Sequence, residues 1–274
     1  MQRTELSEAR TDTRQVEVES GWDTVGGVPN GAYLIALALR AAEESLPGSV
    51  PLTVTGHFLR PGAHGPAGVT VEVVKQGRST STVTAVLEQK GKERLRLLAT
   101  FGAPELLEGP TIFAPHPPEI PRPDQCVVPP RAAAAALGAT LADRYEYRLV
   151  PPSRWLGAEA GEPNLDAWIR FADGSDVDLV ALVLFADAFP GAVLEAVDGM
   201  APTLELTVHL RHQPTAGWIQ VRTSCRMLAG GLAEQDVELW DSRGQLVAMS
   251  RQLMAYVAPD GRAETDELVR GKVG

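Results

Sequence analysis

Apolar positions run almost unbroken through Ala32-Tyr33-Leu34-Ile35-Ala36-Leu37-Ala38-Leu39, and only Arg40 interrupts before Ala41-Ala42. A helix that is apolar on nearly every side has to be covered on nearly every side. Val28 to Leu46 therefore predicts a central helix and not a surface one. Asn30 is placed to cap its start and Gly48 to stop it. A period of two follows in Leu52 to Leu59, Val69 to Lys75, Ser81 to Glu88 and Arg94 to Phe101, which predicts strands, with Lys90-Gly91-Lys92 as a hairpin turn.

The order then repeats. Strand-like segments Tyr145 to Leu149 and Leu165 to Phe171 open a second half. An apolar run from Asp178 to Val197 carries a predicted helix over Val177 to Ala188. Strand patterns follow in Thr203 to Arg211, Trp218 to Met227, Leu232 to Trp240 and Leu246 to Val257, with a turn at Asp241-Ser242-Arg243-Gly244. The first strand after each helix ends alike, in His57-Phe58-Leu59-Arg60-Pro61-Gly62 and in His209-Leu210-Arg211-His212-Gln213-Pro214. One buried helix with an antiparallel meander in each half predicts two fused copies of an α+β unit, with a cleft at their seam. Gln15 to Val18 reads as a short strand, residues 1 to 13 as a frayed start and the stretch after Pro259 as a loose tail. Pro104 to Pro130 holds nine prolines and predicts an extended, exposed crossover. The alanine run Ala132 to Ala136 suggests no definite structure. The expected division is residues 14–103, a linker over 104–143, and residues 144–258.

Composition narrows the function classes. The chain has 274 residues, 44% hydrophobic and 22% charged, with a formal net charge of -10. An acidic balance argues against nucleic acid or an anionic membrane as a partner, though a local arginine cluster can still take a small anion. Cys126 and Cys225 are too few for a disulfide framework and form no Cys-x-x-Cys pair. The polar start lacks the apolar core of a signal peptide. Asp178, Asp187 and Pro190 interrupt the longest apolar stretch, which makes it a poor membrane span. These features point to the cytosol. Neither a Gly-x-Ser-x-Gly elbow nor a phosphate-binding Gly-x-x-x-x-Gly-Lys loop is present.

With the unit found twice, Gly26-Gly27 before the first helix, Phe58-Leu59-Arg60-Pro61-Gly62 and Val73 to Ser79 with its Gly77 resemble acyl-CoA thioesterase II and its relatives. Pro202-Thr203-Leu204-Glu205-Leu206-Thr207-Val208-His209 and Leu246-Val247-Ala248-Met249-Ser250-Arg251-Gln252 resemble the same family. The resemblance covers roughly residues 20 to 104 and 165 to 257. It implies a double hotdog fold, in which each antiparallel sheet wraps around one long helix. It implies hydrolysis of acyl-CoA, or of another pantetheine thioester, to a free acid and thiol, with no metal or organic cofactor, by a homo-oligomer. The family holds its catalytic water with an acid, a hydroxyl and a glutamine in the second hotdog. Carried over, the acid falls on Glu205 and the glutamine on Gln252. The hydroxyl position falls on Arg226, a departure from the pattern, with Ser224 and Thr223 close by.

Strand parity bears on those positions. Leu204, Leu206, Val208 and Leu210 make one apolar face, which puts Glu205 on the other with Thr203, Thr207 and His209. Ile219, Val221, Cys225 and Met227 form the apolar set of the next strand, so Ser224 and Arg226 face away from the core. If these strands pair directly, Glu205 meets Ser224 or Arg226; an ordinary solvated ion pair is the bland alternative. Amides around Gly27 to Ala32, with Asn30, Gly31 and Tyr33, are expected at the substrate, because a helix start is partly positive. Asp187, a charge at the end of an apolar helix, reads as a capping group or as a site residue. Two other functions stay open: a non-catalytic acyl-thioester-binding or scaffold protein, and a hotdog dehydratase or hydratase.

Overall fold

The computed structural model describes residues 10–259 except 111, 113, 132–134, 136 and 137. The expected frayed start, alanine run and loose tail thus fall largely outside the described residues. The strands are β1 (Arg10–Val18), β2 (Asp23–Thr24), β3 (Val28–Pro29), β4 (Val50–Phe58), β5 (Gly65–Gln76), β6 (Thr80–Gln89), β7 (Lys92–Gly102), β8 (Tyr145–Leu149), β9 (Asn164–Phe171), β10 (Thr203–Leu210), β11 (Ile219–Ser224), β12 (Leu228–Ala229), β13 (Leu232–Trp240) and β14 (Leu246–Ala255). Two α-helices lie wholly within the described residues, α1 (Gly31–Ser45) and α2 (Leu179–Ala186).

All but β2 and β3 join one antiparallel sheet, ordered β1-β5-β6-β7-β4-β10-β14-β13-β11-β9-β8, with β12 beside β13. Read outward from the middle, each half runs alike: β4-β7-β6-β5-β1 against β10-β14-β13-β11-β9. The helix lies between the last and first strands of each series in the chain. This is the double hotdog. The halves meet where β4 pairs with β10, and Thr55 faces Thr207 there with their hydroxyls 2.9 Å apart. His57 and His209, which end the two related strands, flank that pair at equal distances along the ladder. The repeat seen in the sequence is thus a pseudo-twofold axis through Thr55 and Thr207.

Inward positions of the long strands and most of both helices make one core, and Ala192, Val193, Cys225, Ala233 and Met254 make a second, smaller one. In α2 all eight residues are buried, which is why its sequence, Leu-Val-Ala-Leu-Val-Leu-Phe-Ala, shows no amphipathic stripe. Each Leu, Val or Phe so enclosed contributes on the order of 1.5 to 3 kcal/mol. The helix is shorter than the predicted Val177 to Ala188, because Asp178 caps its start and Pro190 follows its end too closely for another turn. Strand β11 ends at Ser224, short of the predicted Met227, and Met227 is exposed. β1 begins at Arg10 and not at Gln15, as an edge strand against β5.

The proline-rich crossover is exposed along most of its length, but it is tied at points. The Trp168 indole donates to the Pro121 carbonyl, the Gln220 amide donates to Pro118, and Val127 pairs with Leu149. His212 holds the Leu107 carbonyl at the other end. Limited proteolysis should therefore cut first between Glu108 and His116. The two fragments should still elute together, because the β4–β10 ladder and the α1–α2 contact bridge the halves. Early cleavage inside α1 would contradict this.

Candidate active site

The helices run antiparallel, so each helix start lies beside the other's end. At one end Asn30 caps α1, its Oδ1 accepting from the Tyr33 amide. Its Nδ2 donates to Asp187 at the end of α2, to the carbonyl at 3.1 Å and to Oδ2 at 3.0 Å. The Ala32 amide donates to the same carboxylate oxygen at 3.3 Å. At the opposite end Asp178 caps α2, and Arg40 of α1 donates to its carboxylate and to Glu43. The second end is thus closed by opposite charges. The first keeps a carboxylate that, among the described residues, has no cation against it and is held by neutral donors.

That difference sets the chemistry of Asp187. Lost hydration pushes its carboxyl up to about 6, although the Ala32 amide and the Asn30 side chain pull the other way. The residue as a whole keeps part of its surface open. A carboxylate short of hydration and close to neutral in basicity suits proton transfer.

Beyond Asp187 the chain passes over the inner face of the second half of the sheet. The Gln235 Oε1 accepts from the Ala192 amide at 2.5 Å, and Gln235 faces Gln252 across the ladder. Gln252 is 2% exposed. Its amide reaches the Met254 sulfur at 3.4 Å, while its Oε1 has no partner among the described groups. A β-bulge between Thr203 and Glu205 changes the parity of β10, so Thr203 stands opposite the buried Met254. Thr203 therefore shares the inner face with Gln252. Leu204, expected in the core, is 40% exposed at the bulge.

This geometry separates the residues carried over from the sequence. Glu205 pairs with Leu253 while Leu206 pairs with Gln252, so the Glu205 and Gln252 side chains leave opposite faces of the sheet. No single water can touch both. Glu205 lies on the outer face, where its Oε1 accepts from the Thr207 hydroxyl at 2.5 Å. Ser224 and Arg226 do not reach it either, because β14 and β13 stand between β10 and β11. At roughly 4.8 Å per strand that gap is about 14 Å. Arg226 lies past the end of β11 and pairs with Glu234 and Asp236. Thr223 does face the core, as parity predicts.

At the helix start most expected donors are already used. The Gly27 amide bonds Thr24, that of Asn30 bonds Trp22, and those of Ala32 and Tyr33 bond Asp187 and Asn30. The Gly31 amide is left among the described groups, and a Cβ there would lie 2.7 Å from the Phe58 ring, so a larger residue has to displace that ring. Tyr33 stacks on Trp22 at 4.9 Å, and its hydroxyl accepts from the Glu19 amide. Among the described residues no three His, Cys, Asp or Glu side chains converge where a metal ion could sit, and no helix is long and apolar enough to cross a membrane.

Comparison with known proteins agrees with the architecture. Residues 18–102 match the model of the acyl-CoA thioesterase N-terminal domain, and residues 123–256 match that of the C-terminal domain. A crystal structure of a thioesterase II candidate from Thermobifida fusca is 31% identical, covering 89% of this chain and 92% of its own, with a TM-score of 0.79. A thioesterase-like protein, TwmA, from Talaromyces wortmannii is 26% identical over 91% of this chain and 89% of its own length. An uncharacterized protein of Mycobacterium tuberculosis is 27% identical over 86% and 88%.

Proposed function

This chain belongs to the acyl-CoA thioesterase family, and from that premise we propose that it hydrolyses acyl thioesters to a free acid and a thiol at the Asp187 end of the helix pair. The observation that carries the reading is Asp187 itself, a carboxylate stripped of hydration between two helix ends with no cation among the described residues to neutralise it. In this scheme Asp187 takes a proton as a water oxygen attacks the thioester carbonyl carbon. The carbonyl π pair moves to oxygen, then reforms the C=O as the C–S bond breaks, and the Asp187 proton goes to the leaving sulfur. Gln252 and Thr203 hold the water on the inner sheet face, supplying the amide and the hydroxyl that the resemblance asks for. Gly31 offers the remaining amide for the developing oxyanion.

Coenzyme A as the thiol, a cytoplasmic setting and a homo-oligomeric assembly belong to this proposal as well. So does the division into units at residues 14–103 and 144–258. The test is thiol release over a panel of acyl-CoA chain lengths, repeated with Asp187→Asn. No release from any thioester would leave a binding protein as the better reading. Glu205→Gln serves as the contrast. On the outer face, hydrogen-bonded only to Thr207, it should change turnover by less than about 3-fold, as a surface substitution does. A loss of 100-fold there would return the base to β10.

A further inference from the structure

A cleft of about 320 Å³ runs along the helix pair, bounded by Tyr33 and Leu37 of α1, Leu184 of α2, Trp22 and Phe171. Its near end lies one helical turn from the Asp187 site, since Tyr33 follows Asn30 by three residues and Leu184 precedes Asp187 by three. Its walls are apolar and aromatic, and the volume matches that of roughly ten water molecules at about 30 Å³ each. The far end is different. Asp173, Asp176 and Asp178 line it with Arg40, which already serves Asp178 and Glu43, and Arg144 lies 5.0 Å from the centre of the Trp22 ring, held by the Ser20 and Gly21 carbonyls. Asp173 and Asp176 are exposed on the loop between β9 and α2, and the Ser175 amide holds the Asp173 carboxylate at 2.9 Å.

We infer that this cleft binds the acyl group of the substrate, and that its aspartate rim selects acyl groups whose far end is neutral or cationic over those ending in a carboxylate. The assignment of an acyl group rests on the thioesterase reading; the charge preference rests on the cleft. The reasoning is electrostatic and steric. An apolar slot of this size, ending one helical turn from the reacting carboxylate, takes a short chain whose thioester end extends toward Asp187. A terminal carboxylate would then stop among three aspartates that outnumber the nearby cations, Arg40 being paired already and Arg144 being drawn over Trp22. Like charges at close range in a partly desolvated groove are unfavourable by enough to read as an order of magnitude.

Two measurements test this and fail separately. Calorimetric titration with hexylamine, hexanol and hexanoate asks about the cleft without any chemistry. Hexanoate should bind at least 10-fold more weakly than hexylamine, Asp173→Asn with Asp176→Asn should narrow that gap about 10-fold, and Leu37→Trp should weaken all three. Leu37 is half-exposed, so the larger ring fills the cleft without crowding the core. Thiol release from hexanoyl-CoA and from its ω-carboxylate counterpart should show the same order in kcat/KM and the same narrowing. Equal binding of hexanoate and hexylamine, or full binding by Leu37→Trp, overturns the cleft assignment. The predicted binding order with no thiol release supports the cleft and overturns the thioesterase reading instead. Thiol release indifferent to a terminal carboxylate overturns the selection by the rim.

Discussion

Asp187→Asn should give a folded protein that releases thiol from its best acyl thioester about 10²- to 10⁴-fold more slowly, the range expected for loss of general-base assistance. The asparagine oxygen still accepts from Asn30 and Ala32, so the junction between helix ends survives while the proton acceptor does not. The loss should fall on kcat more than on KM. Wild-type turnover should decline as pH falls through about 6, where this carboxyl takes up its proton.

The same substitution should stabilise the protein at neutral pH. The folded-state value of about 6 lies above the ordinary 3.8, so the fold disfavours the ionised form. Above pH 6 the carboxylate is charged in both states and the folded state bears the whole penalty. As pH falls from about 6 toward 4 the folded chain takes up its proton first, and the penalty disappears. A shift of that size corresponds to at most about 3 kcal/mol, less where water reaches the group. The gain in Tm from Asp187→Asn should therefore be larger at pH 7.5 than at pH 5. Full activity in this variant, with or without a gain in Tm, would remove Asp187 from the chemistry.

Gln252→Leu should lower turnover by roughly 10- to 10³-fold, as expected when one positioning or oxyanion contact is lost. The replacement is close in volume and fills the same buried site. Its effect on stability should be neutral or favourable, because Gln252 Oε1 is enclosed without a partner and the amide makes only a long contact with sulfur. A structural glutamine would behave the other way, with Tm falling and turnover following it. Thermal melting beside initial rates separates the two.

Both predictions concern residues visible in the sequence whose arrangement was not. Gln252 was found by resemblance and lies on the inner face. Asp187 stood out as a charge ending an apolar helix, yet its cap partner Asn30 is 157 residues away and no local pattern joins them. Glu205 lies on the outer face, where parity puts it, so its site role rested on the resemblance alone; Thr203 is the residue that parity misplaces, for a physical reason. Period-two parity assumes an unbroken ladder, and one extra residue at Leu204 moves Thr203 to the inner face while Glu205 stays outside. The match of Arg226 and Ser224 to the same site needed β10 and β11 to be neighbours. The sheet inserts β14 and β13 between them, a choice made by the whole fold and not by either strand.

What the sequence determined by itself was everything carried by short-range periodicity: two helices, strands close to their predicted bounds, the Asn30 cap, the Lys90-Gly91 turn with both residues at positive φ, and the repeat that makes two halves. These depend on side-chain burial and backbone preference within a few residues, so the local order suffices. The tertiary structure alone decided strand order, the side of the sheet each polar group faces beyond a bulge, and which of the two helix junctions keeps an uncompensated carboxylate. Those depend on groups more than a hundred residues apart meeting at the pseudo-twofold seam. At one junction Arg40 neutralises Asp178; at the other Asp187 meets only neutral donors, so burial outweighs their pull and raises its basicity.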